Sequence, residues 1–139
     1  MEFYKNATEL SCDVAKFLLR EKNVPRKYRA VATYPIINKF DELIAQIETA
    51  NRIRTDTEEH VEERKKLQAE CIAKVDEIYR LLQRTVELLW KDKIRSTIPT
   101  AEQQRLRNAL NDFAIRLVRE EELLTGWKKS TRLNKQRTE

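Results

Sequence analysis

Glycine and proline are nearly missing from this chain, with one glycine and three prolines in 139 residues. A lone Gly126 cannot build a Gly-rich phosphate loop, so Walker and Rossmann sites are excluded. Histidine is limited to His60, which has no second imidazole or thiolate at ligand spacing and therefore reads as a surface residue. The two cysteines, Cys12 and Cys71, are too few for a disulfide framework and fall within helical apolar patterns, where reduced core thiols are expected. Ser11, Ser96 and Ser130 lack a nucleophile elbow, and neither cysteine has a histidine partner. Carboxylate pairs such as Glu58 and Glu62, or Asp76 and Glu77, lie in charge-rich helix surfaces rather than in apolar pockets that would raise a pKa. The acidic run from Glu58 to Glu63 opens a helix instead of a cation-binding loop, and the Glu-x-x-His pattern of di-metal bundles is absent. We therefore expect no enzyme, no metal and no cofactor. No run approaches the ~20 uncharged apolar residues of a membrane span, and Met1 to Lys5 do not begin a secretory signal. The expectation is a soluble, cytoplasmic protein without a membrane partner.

What remains is the composition of amphipathic helices: 37% charged and 40% hydrophobic residues, few of them turn formers. The dominant stretch is Thr57 to Lys93, free of glycine and proline, with apolar residues at Val61, Leu67, Cys71, Val75, Ile78, Leu82, Val86 and Leu89. Gaps of three, four and six fit an α-helix with one face against partners. Thr57 is the expected N-cap, and the glutamates after it complement the helix dipole. A first helix is predicted over 8–22, capped by Thr8, with Leu10, Val14, Phe17 and Leu18 on its face. A second runs to about Arg54 with Ile36, Ile37, Phe40, Leu43, Ile44, Ile47 and Ala50. Proline suits a first helical position, so this helix is expected to start at Pro35, the alternative being a kink there. After a connection containing Pro99, Thr100 and Gln103 form a capping box for a last helix carrying Leu106, Leu110, Phe113, Leu117 and Leu124. Gly126 is expected to close it in the left-handed conformation, with Trp127 packing back on the bundle. Residues 1–127 then form an all-α, antiparallel up-down-up-down four-helix bundle, and 128–139 a basic, mobile tail. The third helix outruns the first, so one of its ends must project, break or be covered. Ile72 and Leu81, beside its main stripe, suggest self-association.

The formal net charge is only +5, so its placement matters more than its size. Between Arg20 and Arg29 five cations face one anion, and an antiparallel bundle sets this knot beside Lys91, Lys93, Arg95, Arg105 and Arg107 at the same end. Arg26, Lys27 and Arg29, with Lys22, Lys93 and Arg95, could contact several phosphates, while Tyr28 could stack on an unpaired base. The competing reading of Arg20, Lys22, Lys91 and Lys93 is dipole compensation at helix C-termini.

The segments Val24-Pro25-Arg26-Lys27-Tyr28-Arg29, Glu48-Thr49-Ala50-Asn51-Arg52 and Gly126-Trp127-Lys128-Lys129-Ser130, in that order across residues 8 to 130, resemble the Avd-like four-helix-bundle family. These are accessory variability determinants of diversity-generating retroelements, related to proteins encoded in intervening sequences of 23S rRNA genes. The resemblance implies a basic homopentamer, bacterial or phage-encoded, that binds a reverse transcriptase and its template RNA (with DNA as an alternative ligand) and supports mutagenic cDNA synthesis without catalysing it. It adds Lys128 and Lys129 to the candidate nucleic-acid residues. The alternative function is a helical homo-oligomeric adaptor with no nucleic-acid role.

Overall fold

A computed structural model describes residues 1–91 and 100–134. It is an all-α four-helix bundle: α1 Glu2–Leu18, α2 Tyr34–Arg52, α3 Glu58–Lys91 and α4 Thr100–Ser130. Each helix packs on its neighbour in sequence and α4 closes on α1, so the four stand in cyclic order. The reason is a heptad pattern in every helix. Buried positions alternate by three and four through Ala7, Leu10, Val14 and Leu18; through Ile36, Phe40, Leu43, Ile47 and Ala50; and through Cys71, Val75, Ile78, Leu82, Thr85 and Leu89. α4 continues it with Leu106, Leu110, Phe113, Leu117, Glu120 and Leu124. Such spacing keeps one narrow seam facing the partners, as in coiled-coil packing.

The helix ends depart from the sequence expectation at several places. α1 begins at Glu2, because Phe3 and Ala7 extend its apolar face; Thr8 lies inside it and donates to the Tyr4 carbonyl at 2.9 Å instead of capping. It ends at Leu18, four residues early. The chain then passes through a 3-10 turn, Arg26–Tyr28, and one π turn, Arg29–Thr33, before α2 starts at Tyr34 with Pro35 in its first turn. Thr57 does cap α3: its hydroxyl accepts the His60 N–H at 3.1 Å. The capping box at Thr100 lies outside the described side chains. Cys12 is exposed, while Cys71 is buried and desolvation pushes its thiol up to about 12, out of range for a nucleophile.

Gly126 is helical, not a left-handed cap, and α4 runs on to Ser130. What draws the helix past the glycine is packing. Trp127 stacks on Phe3 with ring centroids 4.2 Å apart, and buried Thr131 exchanges hydrogen bonds with buried Gln68, whose Nε2 donates at 2.8 Å. Lys128 and Lys129 are therefore helical, and the Asn134 N–H is held by the Thr55 carbonyl at 2.8 Å; residues 135–139 lie outside the described residues. A Cβ at Gly126 would meet nothing within 4 Å. Gly126→Ala should then stabilise the bundle by about 0.5–1 kcal/mol, through the lost freedom of the unfolded chain. A urea midpoint that moves upward with an unchanged slope is the expected result, and a fall would contradict it.

The surplus length of α3 is covered rather than bare. Ion pairs of Lys39 with Glu77 and of Lys74 with Glu42 set the α2–α3 register, which leaves the last turns of α3 beyond the start of α2. Residues 19–33 fold over this end and place Val24 in the core, and Leu89 and Leu106 are buried there. Ile72 and Leu81 also pack against the chain's own core. Aliphatic residues are exposed instead on the connection, at Leu19 and Val31, and on the outer side of α4, at Ile115 and Val118.

Candidate nucleic-acid interface

The basic end is built on the three carbonyls of Phe17, Leu18 and Leu19. A helix leaves its last carbonyls without intrahelical partners, and at the end of α1 side chains from the following connection supply them. Asn23 Nδ2 donates to the Phe17 carbonyl at 2.9 Å, Thr33 Oγ1 to that of Leu18 at 3.1 Å, and Arg29 Nη2 to that of Leu19 at 2.8 Å. Two more arginines lock the segment from outside. Arg84 donates through Nη2 to the Val31 carbonyl. Arg105 grips Glu102 through Nε at 3.1 Å and gives Nη2 to Asn23 Oδ1 at 2.8 Å.

This network sorts the sequence candidates. Arg29 is half-buried and engaged as a helix cap, which makes it a structural residue more than a phosphate donor. Tyr28 packs against the core, with the Lys27 ammonium 5.1 Å from its ring centroid; its ring is not held out as a stacking platform. Lys22, Arg26 and Lys27 are exposed on the connection. Lys22 and Arg26 form no ion pair among the described residues. Lys93 and Arg95 lie outside the described residues. Lys128 and Lys129 sit at the C-terminal end of α4, the opposite end of the bundle, so one surface does not unite all the candidates.

Other cations join Lys22, Arg26 and Lys27: Arg20 and Arg107, which belong to the basic knot seen in the sequence, and Arg80 and Arg84, which that knot does not include. Arg20 is exposed beside them, and Arg107 is exposed with its guanidinium 5.1 Å from the centroid of Trp90. Arg80 and Arg84, one turn apart on α3, line a groove of about 310 Å3 with Lys39, Glu77 and Leu81. Their spacing of four on the solvent side of a helix is the signal that would have found them.

At the other end His60 Nδ1 lies 2.6 Å from Asp56 Oδ1. That hydrogen bond raises the imidazole pKa and lowers the carboxyl's. The described residues contain no cluster of His, Cys, Asp and Glu able to hold a metal ion, and no helix among them is long and apolar enough to cross a membrane. Compared with known proteins, the chain matches no family model, no curated protein and no solved structure.

Proposed function

We propose that the protein is a non-catalytic nucleic-acid-binding accessory factor that holds phosphate backbone at the end of the bundle bearing Lys22, Arg26 and Lys27. The observation that supports this most is the contrast within that end: Arg29, Arg84 and Arg105 are engaged in building the fold, while Lys22, Arg26 and Lys27 are displayed to solvent on a rigidly braced connection. Exposed charges held at fixed spacing, with Lys22 and Arg26 in no ion pair among the described residues, favour polyanion contact, which is backbone-directed and tolerant of sequence. The resemblance to Avd-like bundles gives the finer reading: the ligand is the template RNA of a diversity-generating retroelement, the protein partner its reverse transcriptase, the assembly a homo-oligomer such as a pentamer, and the setting the cytoplasm of a bacterium. The exposed Ile115 and Val118 favour a second reading, a helical adaptor that meets other proteins along α4.

The test is charge reversal that spares the braces. Lys22→Glu, Arg26→Glu and Lys27→Glu together should lower affinity for structured RNA at least about tenfold near physiological salt, and should reduce the slope of log affinity against log salt by about 2–3. Helicity must be unchanged. Arg29→Glu is unsuitable, because it would uncap α1. Full RNA affinity with the original salt slope in the folded triple variant would favour the adaptor reading.

A further inference from the structure

At the end of the bundle remote from Lys22, Arg26 and Lys27 lies a small cavity of about 160 Å3 lined by Thr55, Arg64, Trp127, Ser130, Thr131 and Arg132. No carboxylate lines it. We propose that this cavity binds a single dianionic phosphate group, with Arg64 and Arg132 as its charged donors and Thr55 as its hydroxyl donor.

The arrangement of Arg64 carries the inference. Its guanidinium lies 5.3 Å from the centroid of the Trp127 ring, with Nη1 donating to the Ile53 carbonyl at 3.1 Å and Nη2 3.5 Å from Asn51 Oδ1. The head group is thus fixed in place before any ligand arrives, yet Nε is buried and has no hydrogen-bond partner. Nε is closed off from the water-accessible cavity, so an oxyanion there would meet the guanidinium through Nη1 and Nη2, each of which carries a second N–H. Neither Arg64 nor Arg132 makes an ion pair among the described residues, although Asp56 follows Thr55 directly; that carboxylate is held by His60.

Two carbonyls beside the cavity are already engaged. The Ile53 carbonyl accepts from Arg64, and the Trp127 carbonyl accepts from the Ser130 hydroxyl at 2.8 Å and the Thr131 hydroxyl at 3.1 Å. The α3 N-terminus begins at Glu58, three residues after Thr55, and its dipole offsets part of the negative potential of the α2 and α4 C-termini, leaving the two guanidiniums as the charges that favour an anion. The volume suits a tetrahedral oxyanion, and a larger ligand would enter it with a terminal phosphate monoester. Inorganic phosphate presents the same chemistry.

The probes are inorganic phosphate and a short single-stranded oligonucleotide with either a 5′-phosphate or a 5′-hydroxyl. Phosphate at tens of millimolar should raise the melting temperature of the full chain by about 2 °C or more over chloride at equal ionic strength. Arg132→Gln should abolish that rise; Arg132 is exposed, so its loss leaves the bundle folded. The triple reversal of Lys22, Arg26 and Lys27 should leave the rise intact, which separates this site from the proposed backbone interface. A 5′-phosphate advantage of several-fold that vanishes in Arg132→Gln identifies a terminal phosphate as the ligand, whereas a phosphate shift with no such advantage identifies the free ion; either supports the site. No shift in the wild type, or an equal shift in Arg132→Gln, overturns it.

Discussion

Trp127→Ala is expected to lower stability by about 3 kcal/mol, among the larger effects available to a single side chain in this protein. The indole has two ring contacts: Phe3 stacks on it at 4.2 Å with planes 18° apart, and the Arg64 guanidinium lies 5.3 Å from its centroid. Truncation would forfeit apolar burial, an aromatic pair worth about 0.5–1.5 kcal/mol and a cation–π contact of about 0.5–1 kcal/mol. It would also release the first turn of α1 from the last turns of α4. For a domain of this size the melting temperature should drop by roughly 10 °C. A double-mutant cycle with Phe3→Ala checks the cause, since the two losses should be less than additive if the stack is the shared element. An unchanged melting temperature would mean that the ring contributes no packing.

The bundle itself was legible because apolar residues recur at three and four throughout, and the cap at Thr57 was legible because a hydroxyl followed by acids at a helix start has a local cause. Helix ends set by distant contacts were not. Thr8 looks like a cap by type, but Phe3 and Ala7 carry the seam past it. Gly126 looks like a terminator, but Phe3 and Gln68, more than fifty residues away, hold Trp127 and Thr131 in helical register. For the candidate site, local charge density singled out Lys22, Arg26 and Lys27, which are exposed on one connection, while the capping role of Arg29 depends on a carbonyl ten residues upstream that no local pattern shows.

The polar members of the core were missed for a different reason: a polar side chain in an amphipathic pattern is assigned to solvent by default. Glu120 is the extreme case, with no solvent exposure at all. Its position was recoverable, because Leu117 and Leu124 are seven apart and a heptad seam needs a residue between them. In the structure Asn6 Nδ2 donates to one carboxyl oxygen at 3.0 Å and the other oxygen has no partner.

Glu120 should make the stability of the whole bundle fall as the pH rises. Burial raises its pKa from 4.5 to about 8, against a smaller lowering by the Asn6 hydrogen bond. The neutral acid is the form the core accepts, so between those values the folded chain keeps a proton that the unfolded chain has released. Folding is then favoured fully below about pH 4.5 and progressively less as the pH climbs through about 8. At ~1.4 kcal/mol per pH unit the loss is on the order of 4–5 kcal/mol. His60 acts in the same direction, its raised pKa giving stability that is lost as the imidazole deprotonates, but it is exposed and its share is small. Glu120→Gln isolates the buried acid: the amide keeps an acceptor for Asn6 and cannot ionise. Urea midpoints measured from pH 5 to pH 9 should decline steeply for the wild type and stay nearly level for the variant, with the two curves closest at acid pH and the variant the more stable at alkaline pH. Parallel profiles would show that Glu120 does not titrate within the folded core, and a variant less stable than the wild type at pH 9 would show that its charged form is accommodated there.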